Sequence, residues 1–461
     1  MCKKEKILIV GAGLCGSLLA LRMAQRGYLV EVYEGRSDLR KSDITAGRSI
    51  NLALSDRGLK ALRMAGVEEK ARELCIPMKG RLMHDSVSNT FESNYSGREG
   101  ECINSISRGN LNSLLLTEAE KYQNVNIHFN NRCLEIDIET KIARFESCDS
   151  KDQFTLEADV VFGTDGAGSS LRKSYEKQFP QFKVSQDFLT HGYKELEIPA
   201  DATGHHLISK EHLHIWPRGD YMLIALPNMD GSFTVTLFLS YSEGVYNFDN
   251  LVTKENIIKF FENDFPDTLA LIPDILKEFE NNPTGKLGTV KCYPWAYKGN
   301  TLLLGDSSHA IVPFYGQGMN ASFEDVFVFD TVLDEFEGDW EKVFSEFQQR
   351  RKIDTDAIAD LAIDNYYEMR DHVANPLFKE KRILEMDLEK YFPTEYFSKY
   401  SLVTFNEHIG YHEAMSRGRA QDKALLKMVE DHKFSTSLKM SKEKLKDVFE
   451  KVKIETNNIL K

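Results

Sequence analysis

KILIVGAGLCG (Lys6–Gly16), running on through Ser17–Arg26 to LVEVYE (Leu29–Glu34), is the stretch that decides the fold. Lys6–Val10 is a run of β-formers with no polar alternation, the mark of a strand buried on both faces. Gly11, Gly13 and Gly16 follow at once, and then a helical pattern that stops at Gly27. Leu29–Glu34 is a second strand ending in an acid. In a strand–GxGxxG–helix–strand–acid unit the first two glycines allow the tight turn and the close approach of a pyrophosphate. The third lets the helix pack on the strand, and the acid receives a ribose hydroxyl. Glu34, 18 residues after Gly16, has the spacing for that role. A glycine turn alone is equally consistent with a tight structural connection; the two flanking strands and the acid favour dinucleotide binding.

Two further strands end in polar turns. ADVVFGTDG (Ala158–Gly166) delivers Asp165, and TLLLGDSSHAIVPFYGQGMNASFED (Thr301–Asp325) delivers Asp306. The second continues through a glycine-rich turn, Pro313–Asn320, into a helix beginning near Gly318. A carboxylate at a strand end beside a helix N-terminus is a place to hold a polar cofactor. Arg108, at the junction of the strand Cys102–Arg108 with a helix over Asn110–Lys121, is a candidate phosphate or ribityl contact. Only one complete dinucleotide fingerprint is present. The cofactor it serves is therefore expected to stay bound, with no second such domain for a nicotinamide partner.

The chain has 461 residues, enough for two or three domains, with 42% apolar residues and a formal net charge of −13. That charge, with no basic stripe to offset it, argues against nucleic acid. Seven cysteines are scattered without a CxxC pair, so neither a metal site nor a disulfide framework is indicated, and a reducing, cytoplasmic setting fits. No leader-like segment and no run of about 18 apolar residues is present, so no membrane span is expected.

The rest of the chain divides by pattern. Ser42–Arg57 reads as a polar loop, and Arg57–Ala65 as a surface helix stopped by Gly66. Arg81–Asp85 alternates as a strand. Asn126–Phe129, Arg132–Ile138 and Ile142–Glu146 read as a small meander. Between Lys183 and Gly288 the pattern turns antiparallel, with His214–Pro227 and Ser232–Ser240 joined by Asn228–Gly231 as a hairpin. Trp340–Tyr367 and Lys379–Lys390 are strongly helical, with Asn365 on the same side as Ile358, Leu361 and Ala362. His84 and His309 read as structural histidines.

The order of the three strand-end motifs resembles the single-component flavoprotein aromatic hydroxylases. In those enzymes the first motif holds the ADP of FAD, the Asp-Gly motif lies near the pyrophosphate, and the Gly-Asp aspartate binds the ribityl chain. The resemblance implies cofactor contacts at Gly11, Gly13, Leu14, Gly16, Glu34, Arg108, Asp165, Asp306, Gly318, Met319 and Asn320. The segments GRSINLALSDRG (Gly47–Gly58), RLMHD (Arg81–Asp85), SRGNLN (Ser107–Asn112), GYKEL (Gly192–Leu196), VPFYGQGMNASFED (Val312–Asp325), NYYEMRDHV (Asn365–Val373) and TFNEHIGYHEA (Thr404–Ala414) carry it further, to the kynurenine-hydroxylating branch. That branch implies 3-hydroxylation of L-kynurenine with NADPH and O2 through a flavin C4a-hydroperoxide, within tryptophan catabolism. In it an arginine and a tyrosine fourteen residues apart clamp the amino-acid carboxylate, and Arg81 and Tyr95 keep that separation. Asn365, Met369 and Tyr411 carry over as further pocket residues, with Phe314, Tyr315 and Gln317 toward the flavin. Tyr315 stands where relatives commonly have phenylalanine, and the C-terminal membrane helix of mitochondrial relatives has no counterpart here.

The expected architecture is α/β. A discontinuous Rossmann-like FAD-binding domain spans 1–76, 102–180 and 289–335, and an inserted antiparallel-sheet substrate domain spans 77–101 and 181–288. A helical region covers 336–461. Two other functions share these motifs: a flavin hydroxylase of another aromatic acid or phenol, and a non-catalytic dinucleotide-fold binding protein.

Overall fold

The computed structural model describes residues 5–41, 51–368, 376–432 and 440–461. It divides into two compact units, each drawn from several segments: Met1–Cys75, Ile106–Phe188 and Gly288–Ala359 in the first, and Ile76–Ser105, Leu189–Leu287 and Asp360–Lys461 in the second.

In the first unit Lys6–Val10 lies inside a six-stranded sheet ordered Ala296–Tyr297, Thr301–Leu303, Val160–Gly163, Lys6–Val10, Leu29–Tyr33, Val125–His128. All pairs are parallel except the outermost, Ala296–Tyr297 with Thr301–Leu303. The three strands that end in glycine and acid motifs are therefore neighbours, and their C-terminal ends open on one edge, where α/β sheets bind ligands. The helices Leu14–Gln25 and Gly318–Glu335 belong to the same unit, and Leu18, Leu19, Phe323 and Val326 share one apolar core with the sheet.

Three details differ from the sequence reading, the first being that Asn51–Leu54, within the stretch read as a polar loop, is a strand, while 42–50 of that stretch lie outside the described residues. Val125–His128 is the edge strand of the parallel sheet, not part of the meander, which is formed by Asn131–Asp137, Ile142–Ser147 and Gln153–Glu157. Asn124 decides this: its Nδ2 donates to the carbonyls of Ala24 and Tyr28 at 2.9 and 2.7 Å, tying the strand's start to the end of the first helix. The helix Asp56–Met64 is also no surface helix throughout, because Arg57 is fully buried and its Nη1 donates to Glu324 Oε1 at 2.8 Å.

The second unit holds most of a seven-stranded sheet ordered Gly285–Tyr293, Lys183–Ile198, Phe233–Ser240, Met222–Pro227, His212–Pro217, Gly80–His84, Thr90–Asn94. The hairpin across Asn228–Gly231 forms, but His212–Pro217 and Gly80–His84 run parallel, so this sheet is mixed. The strand carrying Arg81 comes from an early segment and reaches its partner without a hairpin, which leaves it free to pair in parallel. Helices Pro376–Tyr391, Lys399–Thr404, Tyr411–His432 and Lys442–Leu460 complete the unit. Lys381 and Lys399 both meet the Asp422 carboxylate at 2.7 Å, a buried cluster in which loss of one partner strands the others. Among the described residues no helix is long and apolar enough to cross a membrane.

Beside Arg81, His84 and His214 form a buried chain. His214 Nε2 donates to the Ser209 carbonyl at 2.8 Å, and His214 Nδ1 faces His84 Nε2 at 2.9 Å. His84 Nδ1 meets Asp267 Oδ2 at 3.1 Å, and Trp216 Nε1 donates to the same oxygen at 2.8 Å. Burial lowers the His214 pKa from 6.5 to about 4. A base whose folded pKa lies below its unfolded value takes up a proton on unfolding between the two. Its contribution is whole above pH 6.5 and is lost as pH falls toward 4, by roughly 3 kcal/mol at most. In urea unfolding of the wild type and His214→Asn, the stability difference between them is expected to shrink as pH drops from 7 to 4.5. A difference independent of pH would show that His214 does not titrate in this window.

Candidate cofactor and anion sites

The glycine turn is shaped by contact. Gly11 adopts φ +100°, its N–H donates to the Tyr33 carbonyl at 2.8 Å, and a Cβ on it would stand 2.7 Å from the Thr164 oxygen. At Gly16 a Cβ would come to 2.0 Å from the Gly11 oxygen and 2.5 Å from Thr164 Oγ1. Gly13 differs, for a Cβ there meets nothing within 4 Å. Two of the glycines are therefore demanded by packing, and the third keeps a space clear.

That space is a cavity of about 730 Å3, within the range of small-molecule sites. The structure brings Gly11, Gly13, Leu14, Glu34, Arg108, Asp165, Asp306 and Met319 together in its lining. Gly16, Gly318 and Asn320 stand outside it. Gly318 begins the helix Gly318–Glu335, and Asn320 is buried beneath that helix start. There Asn320 Oδ1 accepts from Ser55 N–H at 3.0 Å, and Nδ2 donates to the Ala53 and Gly316 carbonyls at 2.8 and 3.0 Å. Cys15, Arg36, Asn112, Arg132, Thr164 and Ser322 also line the cavity. Cys15, Asn112, Thr164 and Ser322 lay inside motifs already read but carried no signal of their own there, and Arg36 and Arg132 are brought to the turn only by the fold.

Charge in the cavity is set by three carboxylates. Burial pushes Glu34 up, but Arg36 at 2.8 Å and the Ala12 N–H at 2.9 Å outweigh it and hold the carboxyl below its usual range. Arg36 is 78% exposed, so it is the partner a ligand hydroxyl would displace. Burial pushes Asp306 up against the pull of Arg108 and His309. Asp165 Oδ2 accepts from the Ser170 N–H at 2.6 Å, whereas its buried Oδ1 has no hydrogen-bond partner among the described residues. An orphaned buried acceptor, a cleared glycine position and a helix N-terminus suit a polyhydroxylated, phosphate-bearing ligand.

In the second unit Arg81 forms a separate cluster. Its guanidinium lies 5.5 Å from the Tyr95 ring and 4.8 Å from the Tyr400 ring, and the two rings stack at 5.6 Å with an interplanar angle of 8°. Burial pulls Arg81 down, but Tyr400, Tyr95 and Glu368 outweigh it and hold the guanidinium above its ordinary value. Arg81 Nε and the Tyr95 hydroxyl are buried without hydrogen-bond partners among the described residues. The strand end is fixed from behind, since Arg382 Nη2 donates to the carbonyls of Asn94 and Tyr95 at 2.9 and 2.8 Å. A fixed cation beside an unused phenol matches a carboxylate. Tyr400 had no signal in the sequence, because a tyrosine on a short helix looks like core.

Asn365 and Tyr411 of this unit are buried; Met369 lies outside the described residues. In the first unit Phe314, Tyr315 and Gln317 are buried on the segment leading into the helix Gly318–Glu335, and Ser55 Oγ donates to Gln317 Oε1 at 3.4 Å.

Residues 4–342 match the family model described as FAD binding domain. The chain is 46% identical over 420 residues to a Myxococcus xanthus protein named kynurenine 3-monooxygenase, covering 91% of this chain and 90% of that one. A Dictyostelium discoideum protein of the same name is 43% identical over 439 residues, covering 92% and 93%. Among solved structures, 2-methyl-3-hydroxypyridine-5-carboxylic acid oxygenase superposes with a TM-score of 0.64 at 19% identity, over 84% of this chain and 96% of that one, a likeness of fold alone.

The two kinds of glycine separate experimentally. Gly13→Ala is expected to leave the melting temperature of the ligand-free chain within about 2 °C while weakening dinucleotide binding by about tenfold or more. Gly16→Ala should lower both, since its Cβ overlaps backbone. Equal loss of melting temperature in the two variants, measured by calorimetry, would contradict the assignment.

Proposed function

The chain belongs to the kynurenine 3-monooxygenase family, and from that membership we propose that it converts L-kynurenine to 3-hydroxy-L-kynurenine, with NADPH and O2 as co-substrates and FAD as the bound cofactor. The reaction balances as L-kynurenine, O2, NADPH and a proton giving 3-hydroxy-L-kynurenine, NADP+ and water. The observation that carries the substrate reading is the Arg81–Tyr95–Tyr400 cluster, a buried cation with an unpartnered Nε next to an unpartnered phenol.

FAD fits the residues of the first unit. Gly13 leaves room for a pyrophosphate, Glu34 offers acceptors to a ribose, and Asp165 and Asp306 offer acceptors to hydroxyls farther along the cavity. When bound, FAD supplies the redox chemistry, taking electrons from NADPH and activating O2. The protein's own work is positional. Arg81 and Tyr95, backed by Tyr400, hold the substrate carboxylate, and a charge-assisted bond of this kind contributes about 1.5–3 kcal/mol. Asn365, Met369 and Tyr411 orient the rest of the amino acid and ring. Phe314 and Tyr315 exclude water, which would otherwise divert activated oxygen to peroxide, and Gln317 lines the face toward the flavin. Gly11, Leu14, Gly16, Arg108, Gly318, Met319 and Asn320 shape the cofactor site, Gly16 and Asn320 through packing and hydrogen bonds within the protein. The segments 77–101 and 181–288 form the substrate domain in this reading, and 1–76, 102–180 and 289–335 the cofactor domain, with 336–461 a helical region. A cytoplasmic location accords with cysteines scattered through the sequence without a CxxC pair.

The test is kinetic. L-kynurenine should accelerate NADPH oxidation by the FAD-loaded protein, and Arg81→Ala should raise the KM for kynurenine by about 10- to 100-fold with the flavin spectrum and FAD content unchanged. Loss of FAD from this variant, or an unchanged KM, would remove Arg81 from the substrate site. Acceleration by benzoates but not by kynurenine would favour a hydroxylase of another aromatic acid.

A further inference from the structure

Beneath the cavity of the first unit lies a closed set of charges. Asp325, on the helix Gly318–Glu335, is fully buried. Its Oδ2 accepts from the Gly305 N–H at 2.9 Å and meets His309 Nε2 at 2.5 Å, and its Oδ1 accepts from Arg351 Nε at 2.8 Å. Burial pushes the Asp325 carboxyl up, yet His309 and Arg351 outweigh it and keep it ionised. An ionised carboxylate only accepts, so His309 Nε2 carries the hydrogen in this contact. Arg351 Nη1 continues to Glu324 Oε2 at 2.8 Å, and Glu324 Oε1 takes Arg57 Nη1 at 2.8 Å.

The geometry at Gly305 gives this set a purpose. Gly305 sits at φ +61°, ψ −144°, a conformation reserved for glycine, and a Cβ there would lie 3.0 Å from Cys15 Sγ. Its carbonyl accepts from the N–H groups of Ser308 and His309 at 2.9 and 3.0 Å. The His309 side chain then returns to the same carboxylate oxygen that holds the Gly305 N–H. The turn is thus a ring closed through Asp325, and the next residue, Asp306, lines the cavity. Asp325 stands on the helix whose first turns carry Met319 and Ser322 into that lining.

We propose that Asp325 and His309 are positioning residues of the cofactor site: they lock the Gly305–Asp306 turn to the helix Gly318–Glu335, so that the Asp306 carboxylate and the helix start present one rigid surface to the flavin. This rests on the FAD reading above. The position of Asp306 depends on a hydrogen bond from the Nε2 position of residue 309, which glutamine can reproduce and the shorter asparagine cannot.

The experiment measures FAD binding to ligand-free wild type, His309→Gln and His309→Asn by flavin fluorescence, with melting temperatures taken with and without FAD. The Gln variant should bind within about threefold of wild type and the Asn variant about tenfold or more weaker, with a smaller rise in melting temperature on adding FAD. Equal FAD affinity in all three proteins, with any loss of melting temperature the same in both states, overturns the proposal. So does an Asn variant that fails to fold while the Gln variant folds, because the network is then plain scaffold. A wild-type chain that binds no FAD overturns the cofactor reading itself.

Discussion

The contact between Gly16, Gly11 and Thr164 is the constraint from which the first unit follows. A helix that starts directly at the end of a strand can lie against the sheet only if no side chain separates them, and at Gly16 the available gap is smaller than a methyl group. Thr164 Oγ1 closes the junction by donating to the Val10 and Gly11 carbonyls at 3.0 and 2.9 Å. Because Thr164 directly follows the adjoining strand Val160–Gly163, the same contact brings Asp165 beside the glycine turn. The neighbouring strand Thr301–Leu303 then leads to Asp306. Three polar strand ends become one cavity through hard packing, before any ligand contributes.

Charge is handled differently in the two units. Around the cavity, carboxylates are buried with arginines at hand, and the fully buried Arg57 and Arg351 exist only because Glu324 and Asp325 meet them. In the second unit the arrangement is reversed: Arg81 is held among tyrosine rings, and its buried Nε has no hydrogen-bond partner among the described residues. That contrast between satisfied scaffold charge and an unsatisfied buried cation is the ground of the proposal that Arg81 binds the substrate.

The local part of this architecture was legible in the sequence. KILIV, the glycine spacing and Glu34 are a contiguous signal, and the strands delivering Asp165 and Asp306 each carry their own turn residues. What the sequence hid depends on which distant segments meet. Val125–His128 has the pattern of any short strand, and only its tether through Asn124 sends it to the parallel sheet. Arg57 looks like a surface residue until Glu324, 267 positions away, neutralises it. Asn320 sits within the right motif, yet its side chain is spent on Ser55 and Ala53. Tyr400 and the His84–His214 chain are invisible for the same reason, since a ring contact leaves no periodic trace.

The most direct test of the central claim is the origin of the new oxygen. The FAD-loaded protein is incubated with NADPH and L-kynurenine under heavy-isotope O2 in ordinary water, and the product is analysed by mass and by ring substitution. One heavy oxygen at the 3-position of the ring is the predicted result. A ring oxygen drawn from water, or NADPH consumption that yields only peroxide, would contradict it.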